Sequence, residues 1–466
     1  MEYTAQTESL NKKNSFLKHI TSKHLTLIGT ACLFMFMLNY LPFDTSINQG
    51  LALLVCAALL WLTEAMHISI TALLIPVVAI FLGIFDVKTA MSGFSSPIIY
   101  LFFGGFVLAA AIHTQGIDKL IAQKLLVLSK GKFGVACFML FFATAGLSMW
   151  ISNTATTTIM LPLALGLLTQ LDSKIHMKTY VFVLLGIGYS ANIGGIGTVL
   201  GSPPNAIAAA QAGISFTEWL EFGLVAVALM LPTMLLTLYL LYKPDLSMQF
   251  KVDHSSKNKL TNAGELTLVI FVGTAICWIQ SKDLSAMLGG IKSFDSVIAL
   301  TSVVLLSALG LVKWKDIQST TEWSVLILFG GGITLSKVLS TTGTSAFLAE
   351  QMSIWLGGAQ MAMFVFAIIA FVVILTNFAS NTASATLLVP IFASIAEAFG
   401  MPVVMVCALI GIAANCAFML PIGTPPNAII YGSGYVKQSQ MMKAGLVINL
   451  ASTFIIYFIA HLLWNF

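Results

Sequence analysis

Long apolar runs separated by short polar breaks fill this chain, and a helix needs about 20 such residues to cross a bilayer core. Eleven runs qualify as spans: residues 25–41, 49–65, 67–85, 97–113, 178–200, 216–242, 264–281, 295–311, 323–340, 402–422 and 441–463. The fifth is expected to resume after a break through 204–212, and the tenth through 426–431. Two further apolar stretches, 133–171 and 360–398, are interrupted in the middle by Ser152-Asn153-Thr154 and by Ser380-Asn381-Thr382. The pattern predicts an all-α polytopic membrane protein with about eleven transmembrane helices and two re-entrant hairpins.

The interruptions repeat. Ser202-Pro203-Pro204-Asn205 recurs as Thr424-Pro425-Pro426-Asn427, and Phe103-Gly104-Gly105 recurs as Phe329-Gly330-Gly331. Gly104 and Gly330 lie 226 residues apart, Asn153 and Asn381 228, and Asn205 and Asn427 222. Three motifs in one order at nearly one offset mean an internal duplication, with repeats at 49–242 and 264–466. Residues 1–48 add a polar amino terminus and a first span, and 243–263 form a polar linker. Paired, helix-breaking polar pieces in two membrane halves are the best sequence pointer to a transport site.

Composition agrees with the bilayer. Mean hydropathy is +0.94, and 58% of residues are hydrophobic against 9% charged, which excludes an ordinary soluble globule. The six cysteines lie in apolar stretches without metal-like spacing and read as packing residues. The run behind the polar amino terminus lacks a small-residue cleavage site, so it reads as an uncleaved span.

Charge sets the orientation. All 22 basic residues are lysines. With a cytoplasmic amino terminus, 18 of them face inward; Lys88, Lys282 and Lys292 lie outside and Lys337 within a span. That satisfies the positive-inside rule and puts the carboxyl terminus outside. Lysines flank 133–171 on both sides, so this hairpin enters from the cytoplasm, whereas 360–398 has lysine-free flanks and enters from outside. Opposite entry makes the repeats inverted. The expected location is a bacterial cytoplasmic (inner) membrane.

The motifs carry a specific chemistry. Ser or Asn caps a helix, so Thr154 and Thr382 are expected to begin the second hairpin arms with free N–H groups. Pro-Pro suits the first turn of a new helix. Four half-helix N-termini result, each a partial positive end for an anion, while the preceding carbonyl ends suit a hard cation such as Na⁺. Carboxylate sites usually recruit Arg forks, and none exists here. An anion held by neutral hydroxyls, amides and helix ends needs co-bound cations, which is a physical route to obligatory coupling. Single Ser, Thr or Gly residues in membrane helices more often mediate packing; two inverted copies tip the reading to a binding site. Lys337 is expected to snorkel, Glu64 and His67 to mark a helix boundary, and His113 to be structural. The repeated motifs contain no acid, which argues against a carboxylate proton pump.

These residues resemble the divalent-anion/sodium symporter family, the INDY-type dicarboxylate and citrate transporters. The likeness runs from Trp61-Leu62-Thr63-Glu64-Ala65 through both Ser-Asn-Thr motifs to Pro421-Ile422-Gly423-Thr424-Pro425-Pro426-Asn427. Departures are His67-Ile68, Asn415 and Ile430, where the family tends to carry Pro and an aliphatic residue, Ser and Val. The resemblance implies a dimerising scaffold, a transport domain moving as an elevator, and Na⁺ as coupling ion. It places one sodium site at Ser148, Ser152, Asn153 and Gly201, and a second at Thr376, Ala379, Asn381 and Gly423. Asn153, Thr154, Ser202, Asn381, Thr382, Thr424 and Pro425 would contact the dicarboxylate.

The expected function is sodium-coupled symport of small C4 dicarboxylates (succinate, malate, fumarate) as dianions by a homodimer in membrane lipid, with no nucleic-acid partner. A sulfate or citrate carrier, or a sodium-independent exchanger, on the same scaffold is the alternative. An intramembrane enzyme finds no nucleophile–base pair or metal motif at membrane depth. A channel fits poorly with two half-sites closed by hairpins.

Overall fold

The computed structural model describes residues 22–173, 175–250, 260–356 and 361–464. The lysines of the amino terminus (Lys12, Lys13, Lys18) and most of the expected linker, 251–259, lie outside these residues. Everything described as regular structure is helical.

Each expected span is present as a helix. In the first repeat these are Thr45–Thr63, Ile68–Phe81, Pro97–Thr114, Met177–Gly194, Pro203–Ala212 and Phe216–Tyr242, with Ser22–Tyr40 before them. The second repeat supplies Asn262–Ile279, Phe294–Ala308, Trp323–Thr341, Val403–Ala414, Pro425–Gly432 and Gln438–Trp464. Both interrupted stretches are helical hairpins, Phe133–Ser148 with Asn153–Leu168 and Met361–Thr376 with Asn381–Ala398. An arm of 16 residues is about 24 Å long, short of the roughly 30 Å hydrocarbon core.

The broken helices stop earlier than the apolar pattern suggests. The fifth span ends at Gly194 rather than 200, and the tenth at Ala414 rather than 422. Apolarity continues past both points, but the backbone turns away to meet the hairpin tips. Two helices outside the expected spans, Ile117–Leu128 and Thr344–Leu356, lead into the hairpins. They are too short to cross a bilayer.

The two halves of the chain pack on each other. The two most extensive helix pairings are Trp323–Thr341 on Ile68–Phe81 and Phe294–Ala308 on Pro97–Thr114, each joining one repeat to the other. The first is built on Gly331 against Ala72 and the second on Gly104 against Ala299, each a glycine of a Phe-Gly-Gly motif set against an alanine of the other half. A Cβ on Gly104 would lie 2.6 Å from the Ala299 Cβ, and one on Gly331 2.6 Å from the Ala72 Cβ, so neither glycine tolerates a side chain. Phe102 and Phe329 close the seam between these helices at 5.1 Å.

Burial separates two kinds of helix. Met177–Gly194 is buried at every position from Thr179 to Gly194, so it is enclosed by protein on all sides. Asn262–Ile279 buries only Gly264, Thr267, Thr274 and Trp278 and leaves Val269, Val272 and Ile276 exposed. Exposed aliphatic residues on a long apolar helix are the surface that lipid covers.

Candidate functional site

The four interrupted elements meet. Ser152 accepts the Ala155 N–H and Ser380 accepts the Ala383 N–H, so each serine caps a hairpin's second arm. Both arms therefore begin at Asn153 and Asn381, one residue before the expected Thr154 and Thr382. Pro203 and Pro425 open the other two half-helices, as Pro-Pro predicts. Thr424 caps its helix through the Asn427 N–H, whereas Ser202 makes no side-chain cap.

All seven residues expected to contact substrate line one cavity of about 590 Å³: Asn153, Thr154, Ser202, Asn381, Thr382, Thr424 and Pro425. Ser152, Gly201 and Gly423 of the expected sodium sites lie in the same wall. Ser148 and Thr376 are buried behind it, at the ends of the first hairpin arms, and Ala379 precedes the Ser380 cap. The volume falls within the usual range for small-molecule sites, about 300–1,000 Å³. Neither lysine nor histidine lines it among the described residues.

Behind the cavity the two asparagines are held in one way. Ser148 Oγ lies 2.7 Å from the Asn153 side-chain amide and 2.8 Å from the Ala191 carbonyl, to which its hydroxyl can donate. Thr376 donates to Asn381 Oδ1 at 2.8 Å and to the Ala414 carbonyl at 2.7 Å. In the first copy the same amide atom of Asn153 lies 3.2 Å from the Gly201 carbonyl and 3.1 Å from the Ala191 carbonyl. With its nitrogen turned inward, the amide has two hydrogens to share among these three acceptors, Ser148 Oγ being the nearest at 2.7 Å. With its oxygen inward, four oxygens converge on one point, a donor set that suits a small hard cation. Gly195 makes room for this cluster, since a Cβ there would overlap Asn153 Oδ1. Gly201 is enclosed too: a Cβ on it would lie 2.5 Å from the Gly195 carbonyl and 2.9 Å from that of Ser148. The second copy is looser, a Cβ on Gly423 meeting the Ala417 Cβ at 3.2 Å.

A cross-brace joins the two broken helices. Asn415 Nδ2 donates to Asn205 Oδ1 at 2.8 Å, while Ser202 donates to Asn415 Oδ1. In mirror fashion, Asn192 Nδ2 lies 3.2 Å from both Thr424 Oγ1 and Asn427 Oδ1. Asn205 and Asn427 in turn cap the carbonyl ends of the breaks, Asn205 on Gly195 and Thr198, and Asn427 on Ala417 and Leu420. All four asparagines are buried. The motif search left Asn192 and Asn415 out of the site, although their 223-residue separation matches the repeat.

Glu64 is exposed and does mark a helix end, with φ at +47°, but it also lines the cavity. Glu322, immediately before Trp323–Thr341, stands in the same wall. The remaining polar candidates sit elsewhere. His67 accepts from the Ser69 N–H as a cap, His113 pairs with the buried Asp118 at 2.7 Å, and Lys337 reaches Ser92 at 2.8 Å.

Comparison with known proteins meets this geometry. The family model for the sodium:sulfate symporter transmembrane region matches residues 22–466. An uncharacterized transporter of Haemophilus influenzae is 48% identical over 93% of this chain and 95% of its own length. The sodium-dependent dicarboxylate transporter SdcS of Staphylococcus saprophyticus is 30% identical, covering 97% of this chain and 93% of that relative. Among solved structures, the Alcanivorax borkumensis YdaH transporter superposes with a TM-score of 0.57 at 13% identity, over 89% of this chain and 98% of that one. At that identity it speaks for the fold alone. The match over nearly the whole described chain identifies a transporter rather than an enzyme: this chain belongs to the sodium:sulfate symporter family, the divalent-anion/sodium symporters.

Proposed function

We propose that this protein is a sodium-coupled secondary transporter that imports C4 dicarboxylates such as succinate, malate and fumarate as dianions. The observation that carries the reading is the convergence of four half-helix N-termini, with their hydroxyls and amides, on one cavity that also holds Glu64 and Glu322 at its wall and, among the described residues, no cationic side chain. Asn153 with Thr154 and Asn381 with Thr382 present two like poles, which suit an anion with a carboxylate at each end better than the single centre of sulfate. Helix N-termini favour each carboxylate, but their partial charges are small. Bound sodium supplies the rest. One ion would sit among Ser148, Ser152, Asn153 and Gly201, with the Asn153 amide turned oxygen-inward, and the second among Thr376, Ala379, Asn381 and Gly423. The sodium-dependent dicarboxylate relative supports the same ion and substrate class.

The mechanism follows from the inverted repeat. The hairpins and broken helices would form a transport domain that slides against a dimerised scaffold as an elevator. The lysine pattern puts Glu64 and Glu322 at cytoplasmic helix ends, so the cavity they line opens inward in this conformation. Counterflow in proteoliposomes with succinate, citrate and sulfate as competitors tests the reading. Sodium-dependent exchange inhibited by C4 dicarboxylates supports it, and sulfate-selective counterflow contradicts the substrate assignment.

A further inference from the structure

Pro97–Thr114 and Trp323–Thr341 occupy the same place in the two repeats, and the residues before them are Ser96 and Glu322, again 226 apart. Neither side chain caps its helix. Ser96 opens onto a separate cavity of about 480 Å³ that also holds Lys282 and Asp295. Glu322 stands in the wall of the anion cavity and in a narrow cleft beside it that reaches Trp150, Ser152, Gly201 and Pro203. It is half-buried, and its carboxylate has no ion pair or hydrogen bond with another described residue. The residue before the helix is thus a neutral hydroxyl in one half and, in the other, a carboxylate without a partner among the described residues.

We propose that Glu322 is a specificity-determining and release residue: it weakens the hold on the anion at the inward-open end and disfavours anions carrying more than two charges. The inference rests on the functional reading above, because it takes the cavity to carry a dianion with sodium. An anion held by neutral donors and two sodium ions is close to balanced, and a carboxylate in the same wall tips the sum negative. Like charges in a partly hydrated cavity interact across an intermediate dielectric, which translates to roughly three- to tenfold in affinity. The effect grows with anion charge, so a trianion suffers more than a dianion. Ser96, in the equivalent place, carries no charge itself, and the Asp295 carboxylate in its cavity stands with Lys282 in the same lining, so the net repulsion falls on the inner end and the anion is held more weakly there than at the outer. Glu64 lies in the same wall but is exposed, and water and salt screen its contribution.

The test uses the full chain, purified and reconstituted, with succinate binding and uptake measured at saturating sodium. Glu322→Gln keeps the side-chain shape and removes the charge. It should bind succinate about three- to tenfold more tightly, lower maximal turnover as release becomes limiting, and narrow the preference for succinate over citrate. Glu64→Gln should change affinity less than twofold, as expected for a screened charge. If Glu322→Gln does not fold, Glu322→Ser, which installs the side chain of the equivalent position, is read the same way. Wild-type affinity in the neutral variant overturns the proposal. So does weaker binding restored by Glu322→Asp, since the carboxylate would then be holding a proton or cation for the anion. Absence of sodium-dependent succinate binding in the wild type removes the functional reading and this inference together; normal wild-type binding with an unaltered variant removes this inference alone.

Discussion

Asn415 reaches from the end of one broken helix to Asn205 in the other, donating to its Oδ1 at 2.8 Å while accepting from Ser202. The bond joins the two halves of the chain beside the helix breaks and holds Asn205 so that its own amide can close the break on Gly195 and Thr198. Asn415→Ala leaves two buried polar groups without partners, which costs about 1–3 kcal/mol each. The expected result is a lower thermal midpoint in detergent together with reduced uptake. Asn415→Ser, which keeps a hydroxyl, should lose less on both counts. An alanine variant as stable and active as the parent would show that the cross-brace is dispensable.

Asn153→Ala and Asn381→Ala should each abolish coupled uptake while leaving the fold intact. Each asparagine sits at a cavity wall and is anchored from behind by Ser148 or Thr376. Each is needed if, as proposed, the anion meets both poles. Uptake near the parent level in a well-folded variant removes that motif from the site.

Gly195→Ala should act on sodium before it acts on stability. The added Cβ would overlap Asn153 Oδ1 and displace the amide from the Ser148, Gly201 and Ala191 oxygens. The half-saturating sodium concentration for uptake should rise severalfold while the monodisperse protein is still recovered. An unchanged sodium dependence would contradict the first cation site.

Much of the site was legible because duplication marks function twice. A Ser-Asn-Thr alone is compatible with packing, but two copies at one offset pick out residues that line a single cavity. Asn192 and Asn415 carried the same offset without a neighbouring motif to draw attention to them. Glu322 had no such mark: its equivalent is Ser96, and its place in the cavity wall depends on how two helices far apart in sequence pack. The helix ends at Gly194 and Ala414 were misplaced for a related reason. Hydropathy records that a segment is buried, and a broken helix enclosed by protein is as apolar as an unbroken one.

The transported form should be the dianion. Across roughly pH 5.5 to 8, succinate uptake should follow the dianion fraction set by carboxylic acid ionisation. Protonation removes the charge that offsets bound sodium, and among the described residues the cavity has no cationic side chain to adapt. Citrate should compete poorly, and less well as pH rises and its trianion takes over. Succinate uptake that peaks at low pH and depends on a proton gradient would contradict dianion transport.

The most direct test is succinate binding to the purified protein in sodium, potassium and choline media of equal ionic strength. On the proposed reading, a dianion held by neutral groups and helix ends requires sodium at the two sites proposed beside Asn153 and Asn381. Sodium should raise succinate affinity sigmoidally, as two cooperating ions do, and potassium should not replace it. Equal succinate affinity in sodium and choline would contradict the account at its centre.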